Sequence, residues 1–174
     1  VAAYGTLMYV NFIFVAIFLG YSIGSAPIVS YHYGARNSEE LKNLLTKSLK
    51  MIGVWSVALF ALAQLIASPL ARIFVGYDPN LFDLTRHGFR IFCLAFLVNG
   101  FNIYGSSFFT ALNNGLLSAV ISFLRTLVFQ IASVLLLPMI FGIDGIWGAV
   151  FVAEILTLCV TIICLAKKQK VYHY

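Results

Sequence analysis

The chain has 174 residues, of which 61% are apolar and 10% charged, with 11 basic side chains against 6 acidic ones and a net charge of +5. A soluble domain is about one quarter charged and about one half apolar, and the mean hydropathy of +0.97 lies far from that norm. At roughly 20 residues per membrane-spanning helix, about five helices use most of the chain, which excludes a soluble globular domain.

The Lys and Arg residues lie in short clusters beside apolar runs, so the basic balance excludes nucleic acid as a partner. Cys93, Cys159 and Cys164 are odd in number and sit within apolar runs. They have no His or Cys at ligand spacing, so neither a disulfide framework nor a metal site is expected. They read as small buried thiols. Val1 is not an initiator Met and no basic segment precedes the first apolar run. No signal peptide is therefore expected, and the chain is expected to begin inside a longer product.

From Val1 to Ala35 there is no Asp, Glu, Lys or Arg, which places a first, tilted span at 4–33. Gly20 and Gly24 have the small-xxx-small spacing that lets helices approach closely, and Pro27 follows as a kink candidate. These residues serve close packing or a gating bend. Arg36 to Lys50 is the most polar stretch. Asn37 and Glu40 have capping-box spacing, and Leu41, Leu44, Leu45, Leu49 and Ile52 share a helical face opposite Lys42, Lys47 and Lys50. The segment 37–50 reads as an amphipathic interfacial helix or as the solvated first turns of the second span.

The second span is set at 51–71, with Pro69 marking its end. Arg72 to Arg90 reads as a polar loop with an Asp78-Pro79 turn signal and the interfacial aromatics Phe74, Tyr77 and Phe82. The charge-free run that follows is too long for one helix. The turn signal Asn113-Asn114-Gly115 divides it into spans at 91–111 and 117–140. A last span covers 146–166, after Gly142-Ile143-Asp144-Gly145.

With those spans, Arg36, Lys42, Lys47, Lys50, Lys167, Lys168 and Lys170 fall on one side, and Arg72, Arg86 and Arg90 on the other. The excess of basic residues puts the first side, and the C-terminus with it, in the cytoplasm.

Polar groups inside a membrane are costly and each needs a reason. Glu154 lies near the middle of the last span, with Trp147 and Thr161 a heptad away on the same face and Thr157 beside it. Low dielectric disfavours the charged form of a carboxyl there, which suits a proton- or cation-exchanging group. The structural alternative is a protonated Glu bonded to a neighbouring helix. Asn99, Asn102, Ser106 and Thr110 form a stripe on the third span that either lines a wet cavity or glues helices together. Arg125 follows Ser118 and Ser122 and is expected to snorkel to the interface, too far from Glu154 in depth to pair with it. Gln64, Gln130 and Ser133 are weaker candidates, and His32, between Tyr31 and Tyr33, reads as interfacial. No paired intramembrane acids, phosphate loop or Ser/His or Cys/His set occurs at one depth, so an enzyme is not expected.

Several stretches together suggest a family. Val1-Ala2-Ala3-Tyr4-Gly5, Gly24 to Pro27, Tyr33-Gly34-Ala35-Arg36-Asn37 and Ser106 to Asn113 resemble the multidrug and toxin extrusion (MATE) transporters. Ser122-Phe123-Leu124-Arg125 and Phe141 to Trp147, with Ala153-Glu154 beyond, do so too. The likeness runs along the whole chain in one order.

It implies an all-α integral membrane bundle whose five spans match helices eight to twelve of a twelve-helix, two-lobe transporter. Such proteins exchange Na⁺ or H⁺ for organic, often cationic, compounds across the cytoplasmic membrane, with no other cofactor. The implied partners are the lipid bilayer, an N-terminal lobe and small organic cations. A coupling acid that some members carry in helix ten has no counterpart here, which leaves Glu154 as the deep acid. A lipid-linked saccharide flippase of the same superfamily would show more basic cavity residues than Arg125 alone. A non-transporting scaffold subunit is the other alternative.

Overall fold

The computed structural model describes residues 2–172 and 174; Val1, the first residue of the motif noted above, lies outside them. The helices in chain order are α1 (Ala2–Gly34), α2 (Ser38–Val75), α3 (Pro79–Phe92), α4 (Phe96–Ala111), α5 (Gly115–Phe123), α6 (Gln130–Phe141) and α7 (Ile143–Tyr172). A 3₁₀ turn at Cys93–Ala95 joins α3 to α4, and a π-turn at Leu124–Phe129 joins α5 to α6. Five stretches are long and apolar enough to cross a membrane: Leu7–Gly34, Ser38–Val75, Pro79–Ala111, Gly115–Phe141 and Ile143–Tyr172. The fold is an all-α membrane bundle, with no strand among the described residues.

The turns follow from local chemistry. After α1, Arg36 takes a left-handed φ of 54°, and the Asn37 side chain accepts from the Glu40 amide at 3.2 Å, capping α2. From there α2 runs unbroken for 38 residues. The segment 37–50 is therefore the beginning of the second span and not a separate helix. The reason is a single buried face: Leu41, Ser48, Ile52, Ser56, Leu59, Ala63, Ala67, Ala71 and Val75 are buried at helical spacing along the whole length.

Pro69 lies inside α2 and does not end it. Membrane helices tolerate Pro where neighbours and local adjustment re-satisfy the freed backbone. The stretch Arg72–Arg90 is also mostly helix. The Asp78 carboxylate accepts from the amides of Asn80 and Leu81 at 2.9 and 3.3 Å, and Pro79 fills the first helical position. That cap starts α3 well before residue 91. The Asn113 turn forms as expected, with Asn113 at φ 58° and the Asn114 side chain accepting from the Leu117 amide at 3.1 Å.

The third span, α3 and α4, is the hub. In its most apolar window 61% is buried, against 11% in the fourth span. Phe89, Phe92, Phe96, Tyr104, Phe108 and Phe109 fill the core, and α4 touches α1, α2, α5 and α7. A side chain at Gly100 would meet Phe18 at 2.5 Å, so the α1–α4 contact depends on that glycine. At the far end Tyr174 donates its hydroxyl to the Leu165 carbonyl at 2.9 Å, and burial raises its phenol above the ordinary range.

Gly20 and Gly24 do not pack against the chain's own helices: a Cβ at either would meet nothing within 4 Å. The core face of α1 is the stripe Phe14, Phe18, Ser22 and Val29, and Gly20 and Gly24 sit about 165° and about 125° around the helix from its centre. Helix α1 continues through Pro27.

Candidate functional site

On α7, Gly145, Trp147, Ala149, Ala153, Glu154, Thr157 and Thr161 are buried and form the face turned to the bundle. Glu154 is the sole ionisable residue in that set. Its side chain is 7% exposed, and it meets Arg125 of the π-turn, which is 24% exposed. Both Nε and Nη2 of Arg125 donate to Glu154 Oε1, at 2.9 and 2.6 Å. Asn102 of α4 donates through Nδ2 to the other oxygen, Oε2, at 2.7 Å and to the Glu154 carbonyl at 2.8 Å. The Thr161 hydroxyl in turn donates to Asn102 Oδ1 at 3.1 Å, which fixes how that amide points. Low dielectric makes each of these bonds stronger than in water and makes an unmet one costly.

The pairing corrects the sequence reading of Arg125 as an interfacial residue out of reach of Glu154. Counting from the Gly142 end they share, Arg125 lies about 24 Å along its span and Glu154 about 17 Å along α7, at 1.5 Å per residue. The offset of about 7 Å is within reach of two extended side chains. Span boundaries alone place backbones, and they understate how far an Arg can extend.

Two cavities flank Arg125. The larger, about 420 Å³, is lined by Tyr4, Asn11, Asn99, Gln130, Arg125 and Glu154 among others. The smaller, about 260 Å³, is lined by Ser22, Ser106, Ser118, Ser122 and Arg125 among others. Arg125 is the lining residue common to both. On α1 the larger cavity takes Tyr4 to Val15 and the smaller Leu19 to Ile23. The first thus lies toward the Gly142 end of the bundle and the second toward the end bearing Arg36 and Asn113.

The smaller cavity carries a hydroxyl cluster. Ser106 Oγ lies 2.8 Å from Ser118 Oγ and 2.9 Å from Ser122 Oγ, and Thr110 donates to Ser118 Oγ at 2.7 Å.

The stripe read on the third span thus divides. Asn102 joins Glu154 and Thr161, while Ser106 faces the other cavity. Asn99 is buried on the larger cavity, and its Oδ1 has no hydrogen-bond partner among the described residues. Thr157 is buried but returns its hydroxyl to the Ala153 carbonyl at 2.8 Å. Gly20, Gly24 and Pro27 line neither cavity. Asn11 was not singled out from sequence; the signal was an Asn inside a charge-free run. Among the described residues no group of His, Cys, Asp and Glu could hold a metal ion.

The fold is similar to that of solved transporters. An outward-facing multidrug resistance MATE family transporter of the MOP superfamily matches with a TM-score of 0.91 and 18% identity, over 99% of this chain and 39% of that one. A MOP superfamily transporter from Pyrococcus furiosus, described as having a binding pocket of reverse polarity, matches with a TM-score of 0.89 and 18% identity, over 100% and 39%. The Vibrio cholerae MATE transporter in its bent form matches with a TM-score of 0.89 and 17% identity, over 98% and 39%. The chain therefore spans about 39% of the length of these solved structures. No match is found among curated proteins. The MatE family model matches residues 1–136, and the chain belongs to that family.

Proposed function

We propose that the chain is part of a cation-coupled antiporter of the cytoplasmic membrane that exports organic, often cationic, compounds in exchange for H⁺ or Na⁺. In this reading Glu154 binds the coupling cation. Asn102, itself held by Thr161, positions that carboxylate, Asn99 lines its cavity, Ser106 the neighbouring one, and Thr157 lies one turn on along α7. Tyr4, Phe12 and Phe92 offer aromatic surface to an organic cation. The end bearing Arg36 and the C-terminus faces the cytoplasm, in keeping with its excess of basic residues. An N-terminal lobe of the same protein completes the central cavity, and rocking of one lobe against the other alternates access.

One observation carries the reading. A buried carboxylate, held on both oxygens, lines one cavity and pairs with Arg125, which lines that cavity and a second one beside it. An ionisable group at that place changes its partners whenever a cation arrives or leaves, and so ties ion occupancy to which cavity is sealed. Arg125 is neutralised by Glu154, which weighs against an anionic lipid headgroup as the cargo.

The test is Glu154→Gln in the full-length protein, reconstituted in proteoliposomes with an imposed pH or Na⁺ gradient. Gradient-driven export of ethidium should fall at least about tenfold, a loss of about 1.4 kcal/mol or more, at unchanged protein level. The gradient that drives wild-type export identifies the coupling ion. Export by the variant at the wild-type rate defeats the assignment.

A further inference from the structure

We infer that Arg125 is a tethered internal competitor: its guanidinium occupies the cation site on Glu154 until an incoming cation displaces it to a second berth among the hydroxyls of Ser106, Ser118 and Ser122. The inference rests on Glu154 as the cation site and adds what holds that site when no cargo or coupling ion does.

The pair is built for exchange. Arg125 engages one carboxylate oxygen only, through both Nε and Nη2, while Asn102 holds the other. A cation entering the larger cavity can therefore take Oε1 without dismantling the bond that positions Glu154. The buried Asn99 lines the same cavity, and its Oδ1 has no partner among the described residues. It gives an incoming ammonium or metal cation a second acceptor that Arg125 does not use.

The second berth lies behind. Ser122 and Ser118 precede Arg125 by three and seven residues, on the face toward which helical side chains incline. Their hydroxyls cluster with Ser106 within 2.8–2.9 Å and share the smaller cavity with Arg125. Hydroxyl oxygens keep lone pairs free to accept from a guanidinium.

Helix geometry at the arginine supports a movable residue. Arg125 sits in the π-turn Leu124–Phe129, and such turns are rare in helices and concentrate at functional sites. The exchange adds one positive charge to the site: the arriving cation, or a proton, neutralises Glu154, and Arg125 carries its own charge into the smaller, hydroxyl-lined cavity.

The experiment measures equilibrium binding of tetraphenylphosphonium to the full-length protein in detergent, for wild type, Arg125→Gln, Glu154→Gln and the pair Ser118→Ala with Ser122→Ala. Apparent affinity falls with the fraction of molecules whose site is free. If Arg125 fills the site about nine-tenths of the time, its removal tightens binding about tenfold. Arg125→Gln should therefore bind the probe about tenfold more tightly, yet lose gradient-driven export. Glu154→Gln should lose binding. The serine pair variant, which keeps the Arg125–Glu154 bond, should bind several-fold more weakly because the displaced guanidinium has lost its berth.

Weaker or unchanged binding by Arg125→Gln, with binding still lost in Glu154→Gln, overturns the competitor and leaves the cation site standing. Unchanged binding by Glu154→Gln, or none by wild type, overturns the site and the competitor with it. Should Arg125→Gln fail to accumulate, the serine pair variant decides: wild-type affinity there overturns the inference.

Discussion

Arg125 and Glu154 meet through a single oxygen, with Nε and Nη2 at 2.9 and 2.6 Å from Oε1 and neither on Oε2. A guanidinium usually grips a carboxylate across both oxygens. Here the second oxygen belongs to Asn102, so the ionic and the neutral partner of Glu154 are separable by mutation.

Asn102→Ala removes the neutral one. It leaves Oε2 of a buried carboxylate unmet and strands the Thr161 hydroxyl. A buried acceptor without a partner costs about 1–3 kcal/mol. Thermal unfolding of the full-length protein in detergent should drop accordingly, and ethidium export should decline with it. An unchanged melting temperature means that water replaces the amide.

Gly105→Ala tests the same network from behind. A Cβ at Gly105 would collide with Cγ2 of Thr161, the residue that orients Asn102. Overpacking of this kind costs about 1–3 kcal/mol. Gly53→Ala is the control: its Cβ would meet only Phe101, at an ordinary 3.6 Å, so the change should be neutral or stabilise by up to about 1 kcal/mol through helix propensity. Equal effects at the two glycines defeat the packing argument.

How much of this was legible in the sequence differs by residue. Charge-free runs and the Asn113-Asn114-Gly115 turn point to five long apolar helices, and five are found, because a membrane helix has to be long and apolar. Arg72–Arg90 reads as loop because Asp78–Pro79 is a turn signal as well as the cap that starts α3. Pro69 was misread as a stop, since Pro is weak punctuation where neighbouring helices support the backbone.

At the site, the α7 face carrying Trp147, Glu154 and Thr161 was visible from heptad spacing, and Asn102 from its own stripe. Arg125 was visible as a residue and missed as a partner. Pairing across antiparallel spans depends on side-chain reach and on a π-turn, and neither leaves a periodic trace. Gly20 and Gly24 show the converse: their spacing is a packing signal, but only three dimensions reveal that they face away from Phe18.

Gly142 closes the fourth span at φ 59° and ψ −133°, a conformation essentially reserved for glycine. A Cβ there meets nothing within 4 Å, so any cost of Gly142→Ala is backbone strain. The expected loss is about 1–3 kcal/mol, read as a lower melting temperature of the full-length protein. A variant as stable as wild type means that the α6–α7 turn can adopt another shape.

Helix α2 is longer than one upright crossing requires. Its 38 residues extend about 57 Å at 1.5 Å per residue, nearly twice a hydrocarbon core of about 30 Å. The charge-free stretch from Met51 to Ala71 already fills that core. The turns from Ser38 to Lys50 therefore add about 20 Å of helix to what an upright crossing needs. The junction at Arg36, with the groove formed by His32, Tyr33, Leu41 and Tyr172, lies at the end of that added length.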